Sequence, residues 1–350
     1  MPTAMPPGSW TASGTLVNRR IWHSATLLRD GRVLVTGGCC SSAAALARSE
    51  LFDPETGAWT ATGSLAQGRY MHTTTLLADG RVLVTGGTAT GTTLFALAEV
   101  YDPETGAWTP TGDMLTRRVQ HTATLLPDGT VLVAGGEGGL GMLSSAEIYH
   151  PLPGTWTAAA EMPMPRAQQT ATRLLDGTVL LAGGNNLDGA VVTSVLYDPE
   201  SGWSAAGDLV DPRVSHTATL LLDGSVLLAA GNADSGSHVS AELYDPASRT
   251  WTAVASLLTG RSLHSATLLN DGTVLVVGGA TTRYREFVAA AERYDPRTGL
   301  WTEAGSLLVS RSTHTATLLS DGKVLVAGGL TYIPGATALS RAAVAELYNP

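Results

Sequence analysis

Three marks recur along this chain at a common step. A Gly pair stands at Gly37-Gly38, Gly86-Gly87, Gly135-Gly136, Gly183-Gly184, Gly278-Gly279 and Gly328-Gly329, with Ala230-Gly231 filling the one gap. A Trp returns at Trp10, Trp59, Trp108, Trp156, Trp203, Trp251 and Trp301, and an Asp-Gly pair begins at Asp30, Asp79, Asp128, Asp176, Asp223, Asp271 and Asp321. The step is 47 to 50 residues for the Gly pairs, and the three marks keep time independently, so the chain is seven copies of one unit.

Each unit reads as four short strands, a to d. In the third they are expected at His121 to Leu126, Thr130 to Gly136, Ala146 to Tyr149 and Trp156 to Ala159. Asp128-Gly129 between a and b predicts a type I′ hairpin, and Asp102-Pro103-Glu104-Thr105-Gly106 in the unit before predicts a Pro-initiated, Gly-terminated turn between c and d. No window has helical periodicity long enough to cover a sheet. A lone four-stranded sheet cannot bury both faces, so the copies must stack. The expected fold is all-β, a seven-bladed β-propeller with four antiparallel strands per blade. Trp10-Thr11 reads as a d strand without its a, b and c, and Tyr348-Asn349-Pro350 ends where a d strand is due. The N-terminal strand is therefore expected to close the last blade, giving one domain over residues 8–350 and a short tail at 1–7.

Composition narrows the partners. The chain is 44% apolar and 15% charged, which excludes intrinsic disorder, and no stretch approaches the roughly 20 apolar residues of a membrane helix. A formal net charge of -9 with no basic run argues against nucleic acid and anionic membrane as partners. Two adjacent cysteines, Cys39 and Cys40, make no disulfide framework. A soluble monomer is expected, with secretion and cytoplasm both open.

Gly-Gly, Tyr-Asp-Pro and Trp at this spacing resemble the kelch repeat over essentially the whole chain. The form Arg118-x-x-His121, Ala123 to Leu126, Asp128-Gly129 and Gly135-Gly136 is similar to bacterial kelch proteins and to the propeller of galactose oxidase. In that oxidase a Tyr-His pair at the Arg-x-x-His position supplies copper ligands. Here the residue before His is Trp22, Met71, Gln120, Ser215, Leu263 or Thr313, never Tyr, which argues against a copper-radical oxidase.

The b-to-c and d-to-a connections share one face, where the blades differ; the Asp-Gly and Asp-Pro turns share the other, where they repeat. On the varied face strand a opens with Arg20, Arg69, Arg118, Arg166, Arg213, Arg261 and Arg311. Resemblance to peptide-binding kelch adaptors implies that these arginines face a ligand; bonding to loop carbonyls is the structural alternative. Three residues on come His23, His72, His121, His216, His264 and His314, with Gln169 in the fourth unit. Strand c carries Glu50, Glu99, Glu147, Glu242, Glu292 and Glu346, with Val195 in that same fourth unit, so His and Glu are expected to meet over the Gly pair. The alternative is that the histidines, with Cys39 and Cys40, hold a transition metal such as Cu, Zn or Fe; no cofactor is firmly implied.

The expected function is a binding module for a peptide, glycan or small ligand at the mouth. Tyr284, Arg285, Phe287 and Tyr332, from the loops of units six and seven, are the favoured contacts, and the ligand would carry a carboxylate or several hydroxyls. Two alternatives stand beside it: a metal-dependent enzyme using the mouth histidines, and a structural propeller of a larger extracellular protein.

Overall fold

A computed structural model describes residues 8–39, 45–233, 236–281, 286–332 and 339–350. It is a seven-bladed β-propeller of four-stranded antiparallel sheets. In the first blade strands a to d are Ser24–Leu27, Val33–Thr36, Ser49–Asp53 and Ala58–Thr62. Strand a of every blade contacts strand a of both neighbours, so the a strands line the central channel. Strand b, of the type Val-Leu-Val-Ala or Val-Leu-Leu-Ala, is buried on both faces. Its apolar residues alternate between the two adjoining inter-blade cores, Leu132 and Ala134 in one, Val131 and Val133 in the other. This is why strand b lacks the apolar-polar alternation of a one-faced sheet.

The seventh sheet joins Ser9–Thr15 to Val344–Asn349, with Trp10 opposite Tyr348. The ring is thus closed by pairing the first strand with the last.

The a–b hairpins correct the expected type I′ turn. Gly129 has φ +85° but Asp128 is not in the left-handed region. Gly129 N–H donates to Leu126 O at 3.1 Å, and Leu126 N–H to Thr130 O at 2.8 Å, which is a three-residue loop: a type I turn followed by a left-handed Gly. Asp128 is there because its Oδ1 accepts the Thr130 N–H at 2.9 Å, a bond the type I geometry permits.

The Trp mark staples the outside of the ring. Each Trp packs on the strand c aromatic of its own blade, as in Tyr149–Trp156 at 5.0 Å between ring centres. Its indole N–H then crosses to the preceding blade, Trp156 to Gly112 O at 2.7 Å and Trp251 to Ser194 Oγ at 2.9 Å. One side chain therefore serves the blade's own core and its neighbour.

Candidate functional site

The face bearing the b-to-c loops is organised by the Arg-x-x-His segments, and the structure redistributes the roles expected of them. All seven arginines are fully buried. Arg118 donates through Nη1 to Gly135 O and Ser145 O, and through Nη2 to Glu147 Oε1 at 2.6 Å. Glu147 also accepts the N–H groups of Leu115 and Thr116, at 2.6 and 3.0 Å, so Arg and Glu together fasten the d-to-a connection to strands b and c. Ion pairs of the same kind join Arg20 to Glu50, Arg69 to Glu99, Arg213 to Glu242, Arg261 to Glu292 and Arg311 to Glu346. The carboxylate of strand c thus meets Arg rather than His. The expectation that Arg20, Arg69, Arg118, Arg166, Arg213, Arg261 and Arg311 ring the mouth gives way to the burial of all seven inside the blades. A buried guanidinium stripped of its carboxylate is strongly unfavourable, so Glu147→Leu is expected to cost about 3–5 kcal/mol in urea melts; a loss under about 1 kcal/mol would show that the pair contributes little.

The imidazoles go across the blade interface. His72 Nε2 meets Ser24 Oγ at 2.9 Å, His121 meets Thr73 Oγ1 and Thr85 Oγ1 at 3.0 Å, and His264 meets Thr217 Oγ1 at 2.9 Å, each on the preceding blade. His23, reaching Thr315, carries this series across the seventh and first blades. In the fourth blade Gln169 Nε2 does the same by donating to Ala134 O at 3.0 Å. The Gly pair is what lets these rings in: a Cβ on Gly37 would stand 2.6 Å from His72 Cε1, and one on Gly38 2.9 Å from His23 Cβ. Burial and the neighbouring arginines push the imidazoles well below their ordinary pKa, His72, His216 and His314 to about 3, so all are neutral at pH 7. Among the described residues no three His, Cys, Asp or Glu side chains form a metal-sized cluster. His23, His72, His121, His216, His264 and His314 are spread one per blade with Nε2 engaged, an arrangement that does not suit a shared metal ion.

Cys39 is buried, and its backbone bridges to Ile21 and Ala45. Cys40, Tyr284 and Arg285 lie outside the described residues. Phe287 and Tyr332 do come together, with ring centres 5.2 Å apart, joining the loops of blades six and seven. Phe287 also packs on a small apolar cluster of Ile21, Cys39 and Leu330, which Trp22 and Tyr70 complete.

The residues that the motif leaves unspecified hold the rim of the channel. Trp22, Met71, Gln120, Gln168, Ser215, Leu263 and Thr313, each directly before the His or Gln, all have φ between 51° and 56°. This conformation turns the backbone N–H toward the preceding blade: Met71 N–H donates to Trp22 O, Gln120 to Met71 O, Gln168 to Gln120 O, Leu263 to Ser215 O and Thr313 to Leu263 O, at 3.0 to 3.2 Å. Their side chains are half-buried. Gln168 Nε2 donates to Gln120 Oε1 at 3.3 Å, and Ser215 Oγ to Gln168 Oε1 at 3.1 Å, making a polar arc over blades three to five. Trp22 stacks on Tyr70 at 5.7 Å and begins an aromatic arc that Phe287 and Tyr332 continue. The signal for this ring was present in the sequence: one position, framed by repeated marks, whose residue changes in almost every copy.

Guanidinium donors on this face come from elsewhere. A cleft of 340 Å³ between the seventh and first blades is lined by Val17, Asn18, Arg19, Leu46, Leu339, Ser340 and Arg341. The opposite face holds a larger cleft of 650 Å³ beside Arg29, Arg32 and Arg81. There Arg32 is paired with Asp30 at 2.6 Å and Arg81 with Asp79 at 2.7 Å, so its charges answer one another.

Comparison with known proteins supports this architecture. The Kelch motif family matches residues 69–115, which span the second Arg-x-x-His segment and its blade. No curated protein matches the sequence. Among solved structures the chain is similar to a fungal alcohol oxidase of the AA5 family in complex with copper, with TM-score 0.79 and 20% identity over 99% of this chain and 77% of that one. It is also similar to YjhT, with TM-score 0.65 and 16% identity over 83% of this chain and 98% of that one. At these identities the likeness is one of fold.

Proposed function

We propose, for a seven-bladed propeller carrying a Kelch motif, that the channel mouth is a binding site for a glycan. One observation carries the reading. At the seven rim positions the backbone is left-handed, where Gly or Asn is cheapest, and the chain places Trp, Met, Gln, Gln, Ser, Leu and Thr instead. The repeated backbone geometry needs none of these side chains, and holding them there costs free energy, which points to a role in what they touch.

Their chemistry suits a neutral, polyhydroxylated ligand. Amide and hydroxyl groups at Gln120, Gln168 and Ser215 both donate and accept, as sugar hydroxyls do. Trp22 and Tyr70 offer flat apolar faces of the kind that cover the C–H face of a pyranose. The seven buried arginines leave the rim itself uncharged, so contact chemistry rather than electrostatic steering supplies the affinity. Arg19 and Arg341, in the cleft on this face, are placed for a carboxylate-bearing residue of the same chain.

The test is tryptophan fluorescence and calorimetry against a panel of neutral and uronic-acid oligosaccharides. Trp22→Ala and Gln168→Ala are each expected to weaken binding at least about tenfold, or about 1.4 kcal/mol, while Asp295→Ala on the turn face leaves it unchanged. Equal losses from all three, or binding only of peptides, would reject the proposal.

A further inference from the structure

The fourth blade departs from its six relatives at three positions. Val195 stands opposite Leu181 in the register where Glu147 stands opposite Val133. Pro163 occupies the place of Leu115, three residues before the arginine, and Gln169 that of His121. The arginine alone is kept. Arg166 is fully buried and donates to Gly183 O at 3.3 Å, Thr193 O at 2.8 Å and Thr193 Oγ1 at 2.8 Å, all neutral acceptors. Thr193 is no substitute for the carboxylate, because Ser145 and Ser240 hold the same place beside Arg118 and Arg213 in blades that keep their Glu.

In the third blade two donors converge on a single oxygen, Glu147 Oε1: the Thr116 N–H and Arg118 Nη2. Their counterparts, the Met164 N–H and Arg166 Nη2, survive in the fourth blade, where among the described residues no carboxylate pairs with Arg166. The donor to the second oxygen, Leu115 N–H on Oε2, is the one that Pro163 removes, since proline has no N–H. What is left is a buried guanidinium bonded only to neutral acceptors, with the apolar Val195 at the register position where the other blades set a carboxylate. A buried cation without a counter-charge is unfavourable, and water does not neutralise it. Burial with no acid beside it lowers the Arg166 pKa to about 10.

We propose that the fourth blade binds a monatomic anion, chloride or another halide, between Arg166 Nη2 and the Met164 N–H, where the other blades place a glutamate oxygen. The site is structural and lies inside the blade, so it is independent of the glycan reading of the mouth.

Thermal melts in sodium chloride or bromide, against sodium methanesulfonate at equal ionic strength, test it. Because the folded state alone holds the ion, Tm is expected to rise by about 2 °C for each tenfold of halide above the dissociation constant, with no such rise in methanesulfonate. Val195→Glu restores an internal carboxylate and is expected to abolish the halide dependence. Should that variant fail to fold, bromide anomalous scattering from crystals of the unaltered protein gives the second readout, with a peak expected within hydrogen-bond reach of Arg166 Nη2. Superimposable melts in halide and methanesulfonate, a halide dependence that survives in a folded Val195→Glu protein, or a bromide map without a peak at Arg166 would each overturn the proposal.

Discussion

Removal of residues 1–15 is expected to abolish the cooperatively folded monomer. The strand Ser9–Thr15 is the fourth strand of the seventh sheet, and it is flanked by strand d of the sixth blade and strand d of the first. Trp10 packs on Tyr348 at 5.0 Å, and its indole N–H bonds Ala304 O at 3.1 Å in the sixth blade. Gly8 N–H and Leu16 N–H extend the pairing to Asn349 O and Ala343 O. The truncation strips one edge of Val344–Asn349 of its partner, and an unpaired edge is a template for another chain. Size-exclusion chromatography is expected to show association or aggregation, and calorimetry a broad melt or none. A truncated monomer that melts at the temperature of the full chain would mean that this strand does not close the ring.

Acid is expected to unfold the propeller through its imidazoles. In the folded ring all six interface histidines have pKa values depressed below 6.5, chiefly by burial, with His72, His216 and His314 at about 3. Once unfolded they return to the ordinary value, so between the two values the unfolded chain binds more protons than the folded one. The stability is therefore complete above about pH 6.5 and is lost as pH falls toward the folded values. Each imidazole contributes up to about 1.4 kcal/mol per pH unit, and six together up to about 8. Against a total stability of about 5–15 kcal/mol, this places acid unfolding near pH 5. Tm is expected to drop by at least about 10 °C between pH 7 and pH 5. His121→Gln, which copies the Gln169 of the fourth blade, is expected to remove about one sixth of that slope. A Tm unchanged over this range would mean that the imidazoles are not buried as neutral groups.

The architecture was legible because it rests on spacing. The Gly pair, the Asp-Gly hairpin and the Trp need only their intervals to declare seven blades, and Trp10 with Tyr348 needs only the missing neighbours to declare how the ring closes. The joint loss of His and Glu in the fourth blade, at Gln169 and Val195, was legible as well, but the pairing of the two read from it was wrong: the carboxylate meets Arg within its blade and the imidazole meets the blade before. These partners were beyond sequence. A chain repeating every 47 to 50 residues offers every side chain near-identical candidates in its own blade and in the next, and periodicity carries no information on which copy is met. Only the packed ring sends Glu147 to Arg118 within one blade and His121 to Thr73 in the blade before. The left-handed rim is of the same kind: no propensity predicts φ +51° for Trp22 or +54° for Thr313, because the closed circle of blades imposes it against local preference. Sequence alone determined how many blades this protein has and how they close; tertiary structure alone decided which polar groups are used up inside them, and therefore which remain at the mouth.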